Sequence, residues 1–298
     1  MADIKLFQIS GTVREYQSGT VTLEKELQTV IENNMETFFG VTFLDSEYRT
    51  TDGGRMDSIG IDENHCPVIF EYKRSIKENV INQGLFYLNW LLDHKDSFKV
   101  LVIEKLGLEF ADQIDWTMPR VICIAGDFTK YDESAIKQMN RNISLIRYKK
   151  FGDDLLMFEQ INENIAAAIP EYHPASARVR AADKTFDEQL AGADKTIQVL
   201  YQDLANYILS LGDDISETHL KLYAAFKKIK NVVTVIAQRK KLVVNLPLDV
   251  NSVTFEEGFS RDVTKIGHWG CGPVELHLQN HADLEKAKPL IDRAYNEN

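Results

Sequence analysis

Residues 54 to 73, G-R-M-D-S-I-G-I-D-E-N-H-C-P-V-I-F-E-Y-K, leave the chain few ways to fold around them. Two short apolar-alternating runs flank the polar loop Asp62, Glu63, Asn64 and His65, which is the signature of a β-hairpin. Side chains alternate across a strand, so Arg55, Asp57, Ile59 and Ile61 share one face of the first run, and Ile69, Glu71 and Lys73 share one of the second. Pairing of the two runs aims Asp57, Glu71 and Lys73 at one point. Unpaired charges among β-branched and aromatic neighbours carry a desolvation cost, and a divalent metal ion removes it.

At 298 residues the chain is long enough for two domains, each with its own core. A composition 44% hydrophobic and 27% charged is that of a globular protein, neither disordered nor membrane-spanning. No apolar run reaches the length of a membrane helix, so no membrane partner is expected. The first residues, Met1 to Lys5, lack the basic-then-apolar pattern of a signal peptide, and a cytoplasmic location is expected. Cys66, Cys123 and Cys271 lie far apart and cannot all pair, which fits a reducing compartment. The net charge of −11 argues against a histone-like nucleic-acid binder, because phosphates are held by Lys and Arg. It leaves room for an enzyme that gathers carboxylates around a metal ion and keeps a local basic patch.

Around the hairpin the pattern predicts two strands meeting at Ser10-Gly11, then a helix with Thr22 as N-cap and Leu23, Leu27, Val30, Ile31 and Met35 on its apolar face, stopped by Gly40. Glu26 lies on the flank of that stripe, while Glu24, Lys25 and Glu32 read as solvated positions. A strand over Val41 to Arg49 leads into the hairpin. A helix from Lys77 to Leu92 follows it, with Gln83 and Tyr87 one turn apart on one face. The run Phe98 to Ile103 reads as a strand covered on both sides, as do Pro119 to Ala125, Ile143 to Tyr148 and Leu155 to Phe158. Helix, three strands, helix, strand is an α/β layer arrangement.

Glu26, Asp57, the Glu71-x-Lys73 pair and the Gln83-x3-Tyr87 helix occur in one order, and on these residues 22 to 104 resemble the PD-(D/E)XK nuclease core in its RecB-like and NucS-like branch. The resemblance implies an α/β restriction-endonuclease-like αβββαβ core with a second, smaller α+β domain. It also implies phosphodiester hydrolysis with Mg²⁺ or Mn²⁺: Asp57 and Glu71 as metal ligands with the carbonyl of Tyr72, Glu26 as a further direct or water-mediated ligand, and Lys73 beside the attacking water. Gln83 and Tyr87 would then position the substrate or Lys73. The expected substrate is nucleic acid, DNA above all, cut in repair or defence against foreign DNA. Cutting two strands with one small site per chain favours a homodimer. The alternative is a binding or sensing module with a nuclease-like fold that does not cut.

This reading divides the chain into residues 1–165, a connector at 166–194 weak in apolar period, and an α+β domain at 195–298. The last resembles a small uncharacterised domain carried behind such nuclease cores. Two helices are expected, on Ile197 to Leu211 and on Leu222 to Ile229, then extended runs at 232–236, 242–246, 263–266 and 274–278 and a final helix over 282–295. The spacing of His268, Cys271, His277 and His281 matches no common zinc module, and Gly267, Gly270 and Gly272 read as a turn that seats Trp269. Lys227, Lys228, Lys230, Arg239, Lys240 and Lys241 are the candidate contacts to a nucleic-acid backbone, beside the plainer reading of a solvated face.

Overall fold

The computed structural model describes residues 4–20, 24–73, 80–164, 184–266 and 270–298. They form a mixed α/β structure in two compact units, Met1–Ile169 and Pro170–Asn298. Thr22, Leu23, residues 77–79, His268 and Trp269 lie outside the described residues.

In the first unit, β1 (Leu6–Gln8) and β2 (Arg14–Tyr16) pair as an antiparallel hairpin, and β3 (Ser18–Gly19) follows. The expected single helix is two: α1 (Glu24–Glu32) and α2 (Met35–Phe39). Gly40 ends the second with φ 62°, its N–H donating to the Glu36 carbonyl, a left-handed cap for which glycine has no Cβ penalty. Then come β4 (Val41–Arg49), β5 (Arg55–Asp62) and β6 (Pro67–Lys73), the predicted hairpin and the strand before it. They are followed by α3 (Val80–Asp93), α4 (Lys95–Leu106), α5 (Leu108–Ala111), β7 (Arg120–Ala125), α6 (Lys130–Ile136), β8 (Asn142–Phe151) and β9 (Leu155–Asn164). The sheet runs β3-β8-β7-β6-β5-β4, with β9 also on β8. β4, β5 and β6 pair antiparallel, and β6, β7 and β8 parallel.

Alternation sorts the two faces of this sheet. Ile59, Ile69, Val121, Cys123 and Leu145 build one core with Leu88 and Leu91 of α3 and Phe98 and Val102 of α4. On the other side Phe70 meets Phe39 of α2, ring centroids 5.4 Å apart, and α1 lies against β5 and β6. The strand expected at Phe98 to Ile103 is part of α4 instead. Phe98, Leu101 and Val102 are buried while Val100 and Ile103 face solvent, an i, i+3, i+4 pattern that the unbroken apolar run concealed.

Close approach of α3 to β7 depends on Gly84, where a Cβ would lie 2.4 Å from Cγ1 of Val121. Overpacking of this kind costs roughly 1–3 kcal/mol. Gly84→Ala is therefore expected to lower the melting temperature by several degrees, read by differential scanning calorimetry, despite alanine's better helix propensity.

The second unit opens with α7 (Phe186–Ala191) inside the stretch expected to be a connector, and Phe186 is fully buried in this unit's core. It continues with α8 (Lys195–Leu209), β10 (Ser216–His219), β11 (Ala224–Lys227), β12 (Asn231–Gln238), β13 (Lys241–Leu246), β14 (Ser260–Asp262), β15 (Val274–Leu278) and α9 (His281–Glu297). The sheet order is β10-β11-β12-β13-β15-β14, every pairing antiparallel. The helix expected from Leu222 to Ile229 is replaced by β11, whose Ala224, Ala225 and Phe226 are all buried. The extended run expected at 263–266 falls one step earlier, in β14. No helix among the described residues is long and apolar enough to cross a membrane.

Candidate active site

The register of the hairpin pairs Ser58 with Phe70 and Ile59 with Ile69, which places Asp57 on the rung of Glu71. Each acid is fixed by the neighbouring strand's backbone. The Tyr72 N–H donates to Asp57 Oδ2 at 2.9 Å, and the Asp57 N–H donates to Glu71 Oε1 at 3.3 Å. Glu71 is 1% exposed. Burial, with the charge of Asp57 added, pushes its carboxyl up to about 9. Burial raises Asp57 as well, Glu47 and Glu24 add to that, and the Tyr72 amide and Lys73 oppose it. Two acids that resist ionisation at one rung form a site short of positive charge among the described residues.

Lys73 ends β6 with a side chain 12% exposed, its Nζ 4.0 Å from Glu24 Oε2. Glu24, and not Glu26, is the α1 acid that reaches Lys73. The two acids are two residues apart, about 200° around a helix, so they cannot face the same strand. Glu26 turns away, its Oε1 3.6 Å from Lys150 Nζ.

The reading of Glu24 and Glu32 as solvated is also corrected. Glu24, Gln28 and Glu32 repeat at four-residue spacing and form a polar line on α1, which lies against β5 and β6. Buried Gln28 donates through Nε2 to the Asp57 carbonyl at 2.7 Å and to Glu32 Oε1 at 2.8 Å, and the same nitrogen lies 3.1 Å from Ser46 Oγ. Glu32 Oε1 accepts from Ser58 Oγ at 2.7 Å, and the Tyr72 hydroxyl donates to Ser58 Oγ at 3.1 Å. α1 therefore grips the carboxylate-bearing strand from its far face.

Gln83 and Tyr87 part company. Gln83 is exposed, whereas Tyr87 is buried and its hydroxyl accepts from the Arg55 N–H at 3.2 Å. A Cβ on Gly54 would meet Tyr87 Cε1 at 2.8 Å, so the tyrosine seats the first residues of β5, two positions before Asp57.

Among the described residues, the Asp57–Glu71 rung included, no group of three or more His, Cys, Asp or Glu could hold a metal ion. Cys66, Cys123 and Cys271 are buried and form no disulfide, and burial raises the Cys66 and Cys123 thiols. His277 bonds Glu275 Oε1 and His281 bonds Asp203 Oδ2, each at 2.7 Å. The six cations proposed as one nucleic-acid patch do not form one. Lys227, Lys228 and Lys230 lie where β11 turns into β12, while Arg239, Lys240 and Lys241 lie where β12 turns into β13. Successive hairpins turn at opposite ends of their shared strand, here roughly 25 Å long. Lys228 is in addition paired with Asp214 at 3.7 Å, and Arg239 with Asp194 at 3.6 Å.

Over 292 residues the chain is 30% identical to an uncharacterized protein of Haemophilus influenzae, an alignment that covers 95% of this chain and 96% of that one. The chain belongs to the family of that protein. Both units are thus shared within the family. A domain of unknown function, DUF5655, matches residues 186–298, beginning at the buried Phe186. Among solved structures the chain is similar to a repair endonuclease from Pyrococcus abyssi, 18% identical with a TM-score of 0.30 over 43% of this chain. It spans about half, 49%, of that structure, and a likeness of this size leaves chemistry to be argued from the residues.

Proposed function

We propose that the first unit is a metal-dependent endonuclease that hydrolyses phosphodiester bonds in DNA, in repair or in defence against foreign DNA, on a restriction-endonuclease-like core. The observation that carries this reading is buried Glu71 and half-buried Asp57 on one rung, with Lys73 as the one lysine beside them among the described residues. A structural ion pair needs matched charges; this set has an excess of carboxylate oxygen.

The donor set fits a hard divalent cation. Asp57 and Glu71 would hold Mg²⁺ or Mn²⁺, joined by the main-chain carbonyl of Tyr72, with remaining positions left to water and phosphate oxygen. A bound ion supplies charge neutralisation at the phosphoryl group and lowers the pKa of a water. The chain's own groups do the rest. Lys73 holds a phosphate oxygen and orients the attacking water, and Glu24 in turn holds the ammonium of Lys73. Gln28 and Tyr87 keep β5 in place on either side of Asp57, acting through the backbone. Glu26 and Gln83 have no part in this reading.

The test is purified full-length protein with Mg²⁺ or Mn²⁺ on single-stranded, double-stranded and branched DNA, beside Asp57→Asn and Lys73→Ala. Cleavage by the wild type that disappears in both variants is expected. Cleavage that survives both sinks the assignment. DNA binding without cleavage under either metal ion supports a non-cutting recognition module instead.

A further inference from the structure

Glu47 lies in the middle of β4, the last strand in the order of its sheet, yet its φ is 57°. This is left-handed backbone that a residue with a Cβ adopts at a cost, and such strain collects where the surroundings impose it for a reason. On either side of Glu47 the register pairs Ser46 with Ser58 and Tyr48 with Met56, so Glu47 falls on the rung of Asp57. Glu47, Asp57 and Glu71 therefore stand on one row across three adjacent strands. The charge of Glu47 reaches Asp57 and helps to raise its carboxyl.

The Glu47 carboxylate is bound to cations instead of joining the pair. Arg55 Nη1 lies 2.5 Å from Glu47 Oε2, and Lys25 Nζ lies 3.3 Å from Oε1. Both cationic side chains are 58% exposed, and Glu47 itself is 32% exposed. Lys25 Nζ also reaches Gln28 Oε1 at 3.2 Å, the residue that holds the Asp57 carbonyl. An ion pair as exposed as this contributes little to stability, too little to explain a strained glutamate. What the arrangement does have is a guanidinium fork and an ammonium closing on one planar anion, two residues along β5 from the acid pair. Arginine forks bind carboxylate and phosphate oxygens in the same geometry.

We propose that Lys25 and Arg55 form a binding site for a backbone phosphate of the substrate at the rim of the Asp57–Glu71 pair, with Glu47 as the built-in anion that a phosphate displaces. The proposal rests on the endonuclease reading of that pair. It accounts for how a chain of net charge −11 grips a polyanion next to a row of acids: the cations are held ready, and loose contact is discouraged until a phosphate is presented in register. Glu47 is then a specificity device, since an anion that cannot outcompete it is turned away.

The experiment is fluorescence anisotropy of full-length protein with labelled single- and double-stranded DNA, in Ca²⁺ to hold the ligand sites occupied without turnover, over a range of salt. Glu47→Gln is expected to tighten binding several-fold. Glu47→Asn is expected to do the same, and because asparagine accepts left-handed backbone it guards against a folding defect. Arg55→Ala and Lys25→Ala are expected to weaken binding about tenfold and to flatten the salt dependence on duplex by roughly one phosphate contact each. In the double variant with Arg55→Ala, the gain from Glu47→Gln disappears. Unchanged or weaker binding in both Glu47 variants overturns the proposal, as does an unchanged salt slope in Arg55→Ala. A wild type that binds and cleaves while these variants match it removes this proposal alone; a wild type that neither binds nor cleaves any DNA removes the endonuclease reading with it.

Discussion

Glu71→Gln is expected to abolish cleavage, by a thousandfold or more, and in the same molecule to raise the melting temperature. The loss follows from removing an anionic ligand on the rung that Glu71 shares with Asp57, where charge stabilisation worth several kcal/mol is at stake. The gain follows from linkage. The ordinary value for this carboxyl is 4.5, and in the fold it is pushed up to about 9. Between those values the folded chain holds a proton that the unfolded chain has released, so stability falls as pH rises through the window. Below 4.5 both states are protonated and the penalty vanishes. At about 1.4 kcal/mol per unit, the penalty at pH 7 is on the order of 3 kcal/mol for the metal-free protein. Glutamine keeps an acceptor for the Asp57 N–H and has no proton to lose. The variant should melt on the order of 5 °C higher than wild type at pH 8 and within a degree or so of it near pH 4.5. Equal melting of the two proteins at both pH values would show that Glu71 is not held protonated.

Divalent ions should reverse that pH trend. Ionised Asp57 and Glu71 are the binding form, so Mn²⁺ at about one hundred times its dissociation constant is expected to add roughly 2.7 kcal/mol, seen as a rise of several degrees at pH 8. At pH 5.5 the same concentration must displace the proton on Glu71 and should shift the melt by little. Asp57→Asn and Glu71→Gln should each remove the response. Thermal melts at the two pH values, with and without Mn²⁺, give the whole comparison, and a metal response that persists in both variants places the ion elsewhere.

How much of this was legible in the sequence depends on how far each residue's neighbours lie along the chain. The hairpin, its loop and the two acids could be read directly because strand alternation and the Asp62–His65 turn are local patterns, and they are found as expected. Glu26 was singled out ahead of Glu24 because α1 was treated as having one apolar stripe and a solvated remainder. The four-residue repeat of Glu24, Gln28 and Glu32 was there to be seen, but its meaning depends on Ser58 and the Asp57 carbonyl, which only the fold brings beneath it. α4 was mistaken for a strand because its apolar residues surround it, so that no period stands out. β11 was mistaken for a helix because Leu222, Tyr223 and Phe226 fit helical spacing by accident. The basic residues of the second unit are near in sequence and far apart in space because two hairpin turns separate them. Glu47 gave no local signal at all: its left-handed backbone and its place on the rung of Asp57 are properties of the assembled sheet.

The crossed backbone bonds of Asp57 and Glu71 also set when this centre can exist in the life of the chain. Each acid is aimed by an amide of the opposite strand, so neither is in place until β5 and β6 have zipped in this register, and a slip by a single residue sends both to the other face of the sheet. A chain still leaving the ribosome, or one reopened by heat, has no half-formed version of the pair with which to capture an ion. Whatever reactivity the centre has is thereby confined to molecules that have finished folding.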